Sequence, residues 1–181
     1  MIKMSGRKWD FIQKNVVELF CDGGLLSKNP SPQGGTWAWC FVDEHDQRIC
    51  YESGILYPRD LGLKKITNNH SELYAALAGM HALPDDWSGT IWTDSNVTLH
   101  RIKRDAKKAP DSIPERLDIA CKALKERLGD YKVKLLSGHP SREQIVIGYK
   151  KCRPVSRHNV FCDQLCTKLK EKQQHYAGLN A

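Results

Sequence analysis

The chain has no apolar run that could cross a membrane: nothing in its 181 residues approaches the roughly 20 apolar residues that span a bilayer. Residues 1–15 are polar and basic and lack the apolar segment of a secretion signal. A soluble cytoplasmic protein is expected. The seven cysteines are an odd count with no secretory signal beside them, which argues against a disulfide framework. The paired C-x2-C knuckle of common zinc sites is missing too, so Cys152, His158, Cys162 and Cys166 form only a weak candidate set. Cys21, Cys40 and Cys121 lie in apolar patterns and read as small core residues. With no block of like charge, internal repeat or linker, the sequence reads as one domain over residues 16–181, preceded by a leader over 1–15. A monomer is the default expectation.

What is present is basic charge. The net charge is +7, and lysines and arginines are densest between residues 132 and 172. Such a surface recruits polyanions, because phosphate contacts release counterions. No amphipathic basic helix with bulky apolar residues accompanies the charge, so nucleic acid is favoured over a membrane surface.

The patterning predicts a mixed α/β sheet. Residues 16–22, 36–42 and 48–56 alternate in polarity and are joined by short connections, as in an antiparallel meander. The glycines after Asp22 read as a tight turn. Residues 68–83 read as a helix capped by Asn69 and ended by Pro84, with Leu73, Leu77 and Met80 as its apolar stripe. A buried strand over 90–93 ends at Asp94, helices follow over 95–104 and 114–128, and a further strand covers 132–136. A long polar, basic loop then leads to a last helix over 159–172. The order β-β-β-α-β-α-α-β-α describes a meander followed by strands reached through helical crossovers.

Asp22 and Asp94 end strands, Glu72 lies in the first turn of a helix and Asp163 near the start of another. Ends of this kind face a common crevice in crossover sheets. Four gathered carboxylates repel, each pair near 4 Å costing roughly 4 kcal/mol at an effective dielectric of about 20. Hard oxygen ligands suit Mg2+, with Mn2+ as a substitute. Two such ions about 3.5–4 Å apart would serve an in-line phosphodiester displacement. Each residue also has a plain structural reading. Asp22 could shape a turn, and Glu72 could close a capping box with Asn69. Asp94 could cap a helix, and Asp163 could favour a helix N-terminus.

Five motifs decide between these readings. Phe20-Cys21-Asp22-Gly23-Gly24 with Asn29-Pro30 and Gly34-Gly35, Ile66-Thr67-Asn68-Asn69-His70-Ser71-Glu72-Leu73, Thr93-Asp94-Ser95, Gly138-His139 and Asn159-Val160-Phe161-Cys162-Asp163 follow in order. Together they resemble the type 1 ribonuclease H family, over residues 18–169. The resemblance implies a ribonuclease H-like five-stranded mixed sheet, three antiparallel strands plus two parallel, flanked by helices. It also implies an endonuclease that cuts the RNA strand of RNA–DNA hybrids with two Mg2+ ions, leaving 5′-phosphate and 3′-hydroxyl ends. Asp22 and Asp163 would hold the metal beside the attacking water, and Asp22, Glu72 and Asp94 the metal beside the leaving oxygen. His139 would assist proton movement or product release, with His158 as the alternative. Asn29, Asn69 and Asn96 would face the minor groove, where 2′-hydroxyls mark RNA.

Three departures from the family pattern stand out. One extra residue separates Asp22 from Asn29, and residues 95–117 are too short for the tryptophan- and lysine-rich protrusion of some bacterial members. The stretch from His139 to Asp163 is longer than usual and carries Arg142, Lys150, Lys151, Arg153 and Arg157. Lys150, Lys151 and Arg153 are expected to grip substrate in place of the missing protrusion; the alternative is a solvated, flexible loop. The rival functions are a junction resolvase or transposase-like nuclease, a non-catalytic hybrid-binding domain and a zinc-stabilised interaction module.

Overall fold

The computed structural model describes residues 15–104 and 113–179, and the side chains of 177–179 are not described. The leader, apart from Asn15, and part of the short region after Asp94 lie outside the described residues.

Strand alternation builds two cores. On β1 (Glu18–Leu25), Leu19 and Cys21 face one side with Trp39 and Phe41 of β2 (Gly35–Val42). Phe20 faces the other with Ala38, Cys40 and Val42. The first face is covered by α1 (Asn68–Ala82), which in turn packs against α2 (Asn96–Ile102) and α3 (Glu115–Arg127). The second is covered by α5 (Arg157–Leu179), whose Cys162 and Cys166 are buried there. Cys21, Cys40 and Cys121 are buried free thiols, as the patterning suggests.

With β3 (Arg48–Leu56), β4 (Thr90–Thr93) and β5 (Lys132–Leu135), the sheet order is β3-β2-β1-β4-β5. The first three strands pair antiparallel, while β1, β4 and β5 run parallel. No helix among the described residues is long and apolar enough to cross a membrane.

Three local expectations are corrected. The glycines after Asp22 make no turn: β1 continues to Leu25, since Gly23 and Gly24 pair with Trp37 and Thr36. The N-cap of α1 is Thr67 rather than Asn69, and its capping box closes on His70 rather than Glu72. Glu72 is therefore free of the structural role that sequence spacing allowed it. Finally, the segment after His139 is no open loop. It folds as α4 (Arg142–Ile147) and a hairpin of β6 (Tyr149–Lys150) and β7 (Arg153–Pro154). A capping box from Ser141 to Gln144 starts α4, and Gly148 ends it at φ 80°.

Candidate active site

Parallel pairing of β1 with β4 ends at Phe20 and Trp92. Asp22 and Asp94 lie just beyond, where the two strands no longer bridge each other. Gly23 lets α1 close on the same end: a Cβ there would collide with the backbone of Ser71 and Glu72. Glu72 is thereby brought to Asp22 from the neighbouring helix. One oxygen from each of Asp22, Glu72 and Asp94 lies within 4.8 Å of the others. Gly23→Ala should push α1 off the strand and cost about 1–3 kcal/mol in a chemical denaturation series, as overpacking does. Unchanged stability and unchanged metal affinity would contradict this close approach.

Ionisation of the three acids is disfavoured where they stand. Burial pushes Asp22 well above the usual carboxylate range, and the charges of Asp94 and Asp163 add to it, against the amide of Gly23. Burial raises Glu72 likewise, with Asp22 and Asp94 adding to it, while Asn68 donates to its Oε1 at 3.2 Å. Asp94 is raised by burial, with His139 acting in the opposite direction. Glu72 Oε2 and Asp94 Oδ1 are buried without a hydrogen-bond partner. Buried carboxyl oxygens left without a partner in one acidic cluster fit a hard divalent cation.

Asp163 reaches the site from α5, on the face opposite α1. It is half-exposed and raises Asp22 and Asp94 electrostatically, but it stands outside the tight three-oxygen group. His139 Nδ1 lies 3.7 Å from Asp163 Oδ1, its side chain 80% exposed. His158 is placed elsewhere: it is buried, its Nε2 lies 2.6 Å from Asp46 Oδ1 in the β2–β3 turn, and its ring packs on Phe20. His139→Ala should lower turnover about 100-fold with an unchanged melting point. His158→Ala should instead cost about 1–3 kcal/mol of stability and spare the activity of folded molecules. Comparing kcat and melting curves for the two variants checks both.

The asparagines Asn29, Asn69 and Asn96 are all exposed. The Asn29 loop is tied to the start of α1 by paired backbone bonds between Ser31 and Ile66, at 2.7 and 2.8 Å. Asn69 is the second residue of α1, and Asn96 opens α2 two residues after Asp94. Lys151 and Arg153 are exposed on the new hairpin. The Lys150 ammonium donates to the carbonyls of Gly138 and His139. The zinc candidates do not gather: Cys152 is exposed, while Cys162 donates to the Phe20 carbonyl in the core. A cavity of about 360 Å³ near Glu18, Asp43 and Asp46 lies at the opposite end of β1, away from these acids.

The sequence did not reveal the close approach of α1 at Gly23, the bond from Asn68 to Glu72 or the bonds from Lys150 to the Gly138 and His139 carbonyls. Gly23 had a local signal, a glycine directly after the first acid, and Asn68 stands one helical turn before Glu72.

No family model matches the chain. The LC11-RNase H1 structure superposes with a TM-score of 0.62 at 16% identity, over 87% of this chain and 98% of that one. RNase H1 of the halophilic archaeon Halobacterium salinarum NRC-1 gives 0.60 at 16%, over 86% and 98%. Strand order, flanking helices and these likenesses define a ribonuclease H-like α/β fold. The ribonuclease H of Pectobacterium carotovorum subsp. carotovorum is 30% identical over 145 residues, covering 72% of this chain and 85% of that protein. That of Dechloromonas aromatica is 29% identical over 143 residues, covering 72% and 88%. The chain belongs to the ribonuclease H family, a family of enzymes.

Proposed function

We propose that this chain is an endonuclease of the RNA strand of RNA–DNA hybrids, acting with two divalent cations and leaving 5′-phosphate and 3′-hydroxyl ends. The observation that carries the proposal is the convergence of Asp22, Glu72 and Asp94, buried or half-buried and within 4.8 Å, in a chain of net charge +7. Acids gathered against their own repulsion are explained by a cationic ligand, and a basic surface recruits the polyanion that such a ligand would act on. LC11-RNase H1 has been solved in complex with an RNA/DNA hybrid, which supports the same substrate here.

Asp22, Glu72, Asp94 and Asp163 would hold the ions, with Mg2+ the natural choice and Mn2+ a substitute. Bound there, the ions would activate water and stabilise the leaving oxygen. Asp22 and Asp163 would hold the ion beside the attacking water, and Asp22, Glu72 and Asp94 the ion beside the leaving oxygen. His139, beside Asp163 and open to solvent, moves a proton or eases product release. Asn29, Asn69 and Asn96 offer amides that both donate and accept, which suits the hybrid's minor groove with its 2′-hydroxyls. Lys151 and Arg153 contact phosphate. Residues 16–181 act as one catalytic domain, a cytoplasmic monomer, with 1–15 a leader.

End chemistry tests the mechanism. Cleavage products should carry 3′-hydroxyls that a polymerase extends and 5′-phosphates that a ligase seals. A 2′,3′-cyclic phosphate would mean attack by the neighbouring hydroxyl, and the activated-water reading would fall.

A further inference from the structure

The insertion between His139 and Asp163 carries cations at the active-site end, yet one of them is turned inward. Lys150 is half-buried, and its Nζ donates to Gly138 O at 3.0 Å and to His139 O at 2.7 Å. Ammonium-to-carbonyl bonds are charge-assisted and strong for their kind. A second tie lies beside them: Ser137 N donates to Pro154 O at 2.9 Å, joining the end of β5 to the hairpin. Val155 N donates to Gly148 O at 2.8 Å and closes the hairpin's base.

These ties fall on an unusual turn. His139 has a φ of 46°, a left-handed conformation that few residues other than glycine adopt, though histidine does so more readily than most. The preceding Gly138 packs so tightly on Asp94 that a Cβ would collide with its carboxylate. The imidazole itself has little packing, being 80% exposed beside Asp163. Its backbone is therefore what fixes its position. Lys150 also faces Arg153 across the hairpin, a like-charge pair that ordinarily destabilises. Turning the Lys150 ammonium to the two carbonyls relieves that repulsion.

We propose that α4 and the β6–β7 hairpin form a brace, and that Lys150 is a positioning residue holding the Gly138-His139 turn so that the imidazole stands against Asp163. The catalytic half of this inference rests on the role of His139 given above; the positional half does not. Lys150 acts through backbone carbonyls and touches no substrate, whereas Lys151 and Arg153 remain free to contact phosphate.

The test combines kinetics with nuclear magnetic resonance on the full chain. Lys150→Met keeps the length of the stem and removes the donors. It should lower kcat on a hybrid about tenfold, as modest misplacement of an acting group does, with KM and the salt dependence of binding unchanged. Lys150→Arg, which keeps donors, should recover part of the loss. In a His139→Ala background, Lys150→Met should cost nothing further. The His139 ring resonances should shift toward free imidazole in Lys150→Met, and the amides of Gly138 and His139 should exchange faster with solvent. Unchanged resonances and exchange would overturn the brace whatever the kinetics show. A raised KM with a shallower salt slope, or an equal kcat loss in the His139→Ala background, would overturn the positioning role. If His139→Ala itself keeps full kcat, the role of His139 fails, and the resonances still decide the brace separately.

Discussion

Asp94→Asn should reduce single-turnover cleavage at least about a thousandfold and leave the chain folded, more stable without metal than the parent. The substitution keeps the side chain's volume and removes one charge from the group formed with Asp22 and Glu72. Each pair of charges near 4 Å is worth roughly 4 kcal/mol at an effective dielectric of about 20, less whatever protonation and solvent already relieve. A net gain of about 1–2 kcal/mol remains, or roughly 3–6 °C in melting temperature for a chain of this size. Activity and stability thus move in opposite directions, as expected where a site is held together against its own repulsion. The cap of α2 is Ser95, which accepts from Thr98 N, so Asp94 is spared that structural duty; a purely structural Asp94 would lose stability on substitution and keep its activity.

The second large effect is the exchange of pH dependence for metal dependence. Asp22 and Asp94 start from an ordinary value of 3.8 and Glu72 from 4.5, and all three are raised in the folded chain. Between those ordinary values and the raised ones, the folded protein binds protons that the unfolded chain has released. Stability from this cluster is therefore fully present below the unfolded values and is lost as pH rises through the folded ones. The metal-free protein should melt highest in mild acid, so far as this cluster governs it, and lower at neutral pH. Mg2+ competes with protons for the same oxygens, so its stabilising effect should grow as pH rises. Melting curves from pH 5 to 8, with EDTA or with saturating Mg2+, should diverge toward the alkaline end. Parallel curves would mean that the raised carboxyls are not where the metal binds.

Much of this was readable in the chain because its information is local. Asp22, Glu72, Asp94 and Asp163 each sit in a short motif, and strand alternation put Leu19 and Cys21 on one face with Phe20 on the other. The N-cap of α1 was harder, since Thr67, Asn68 and Asn69 all have side chains that can cap, and only backbone geometry selects Thr67. The glycines after Asp22 could serve a turn or a close approach; the approach of α1, some 50 residues later, decides it. The α4 helix had a legible start at Ser141 and stop at Gly148, but it buries no residue and so shows no periodic stripe. Lys150 and His158 were out of reach of local reading. Their partners, the turn at His139 and Asp46 in the β2–β3 turn, become neighbours only in the folded chain.

The most direct measurement is cleavage of an end-labelled RNA–DNA hybrid by the purified full chain in Mg2+, beside duplex RNA, duplex DNA, single-stranded RNA and a four-way junction. Cutting confined to the hybrid's RNA strand, lost in EDTA, is the expected result. Intact hybrid in both Mg2+ and Mn2+ from a correctly folded protein, or cutting of the junction instead, would contradict it.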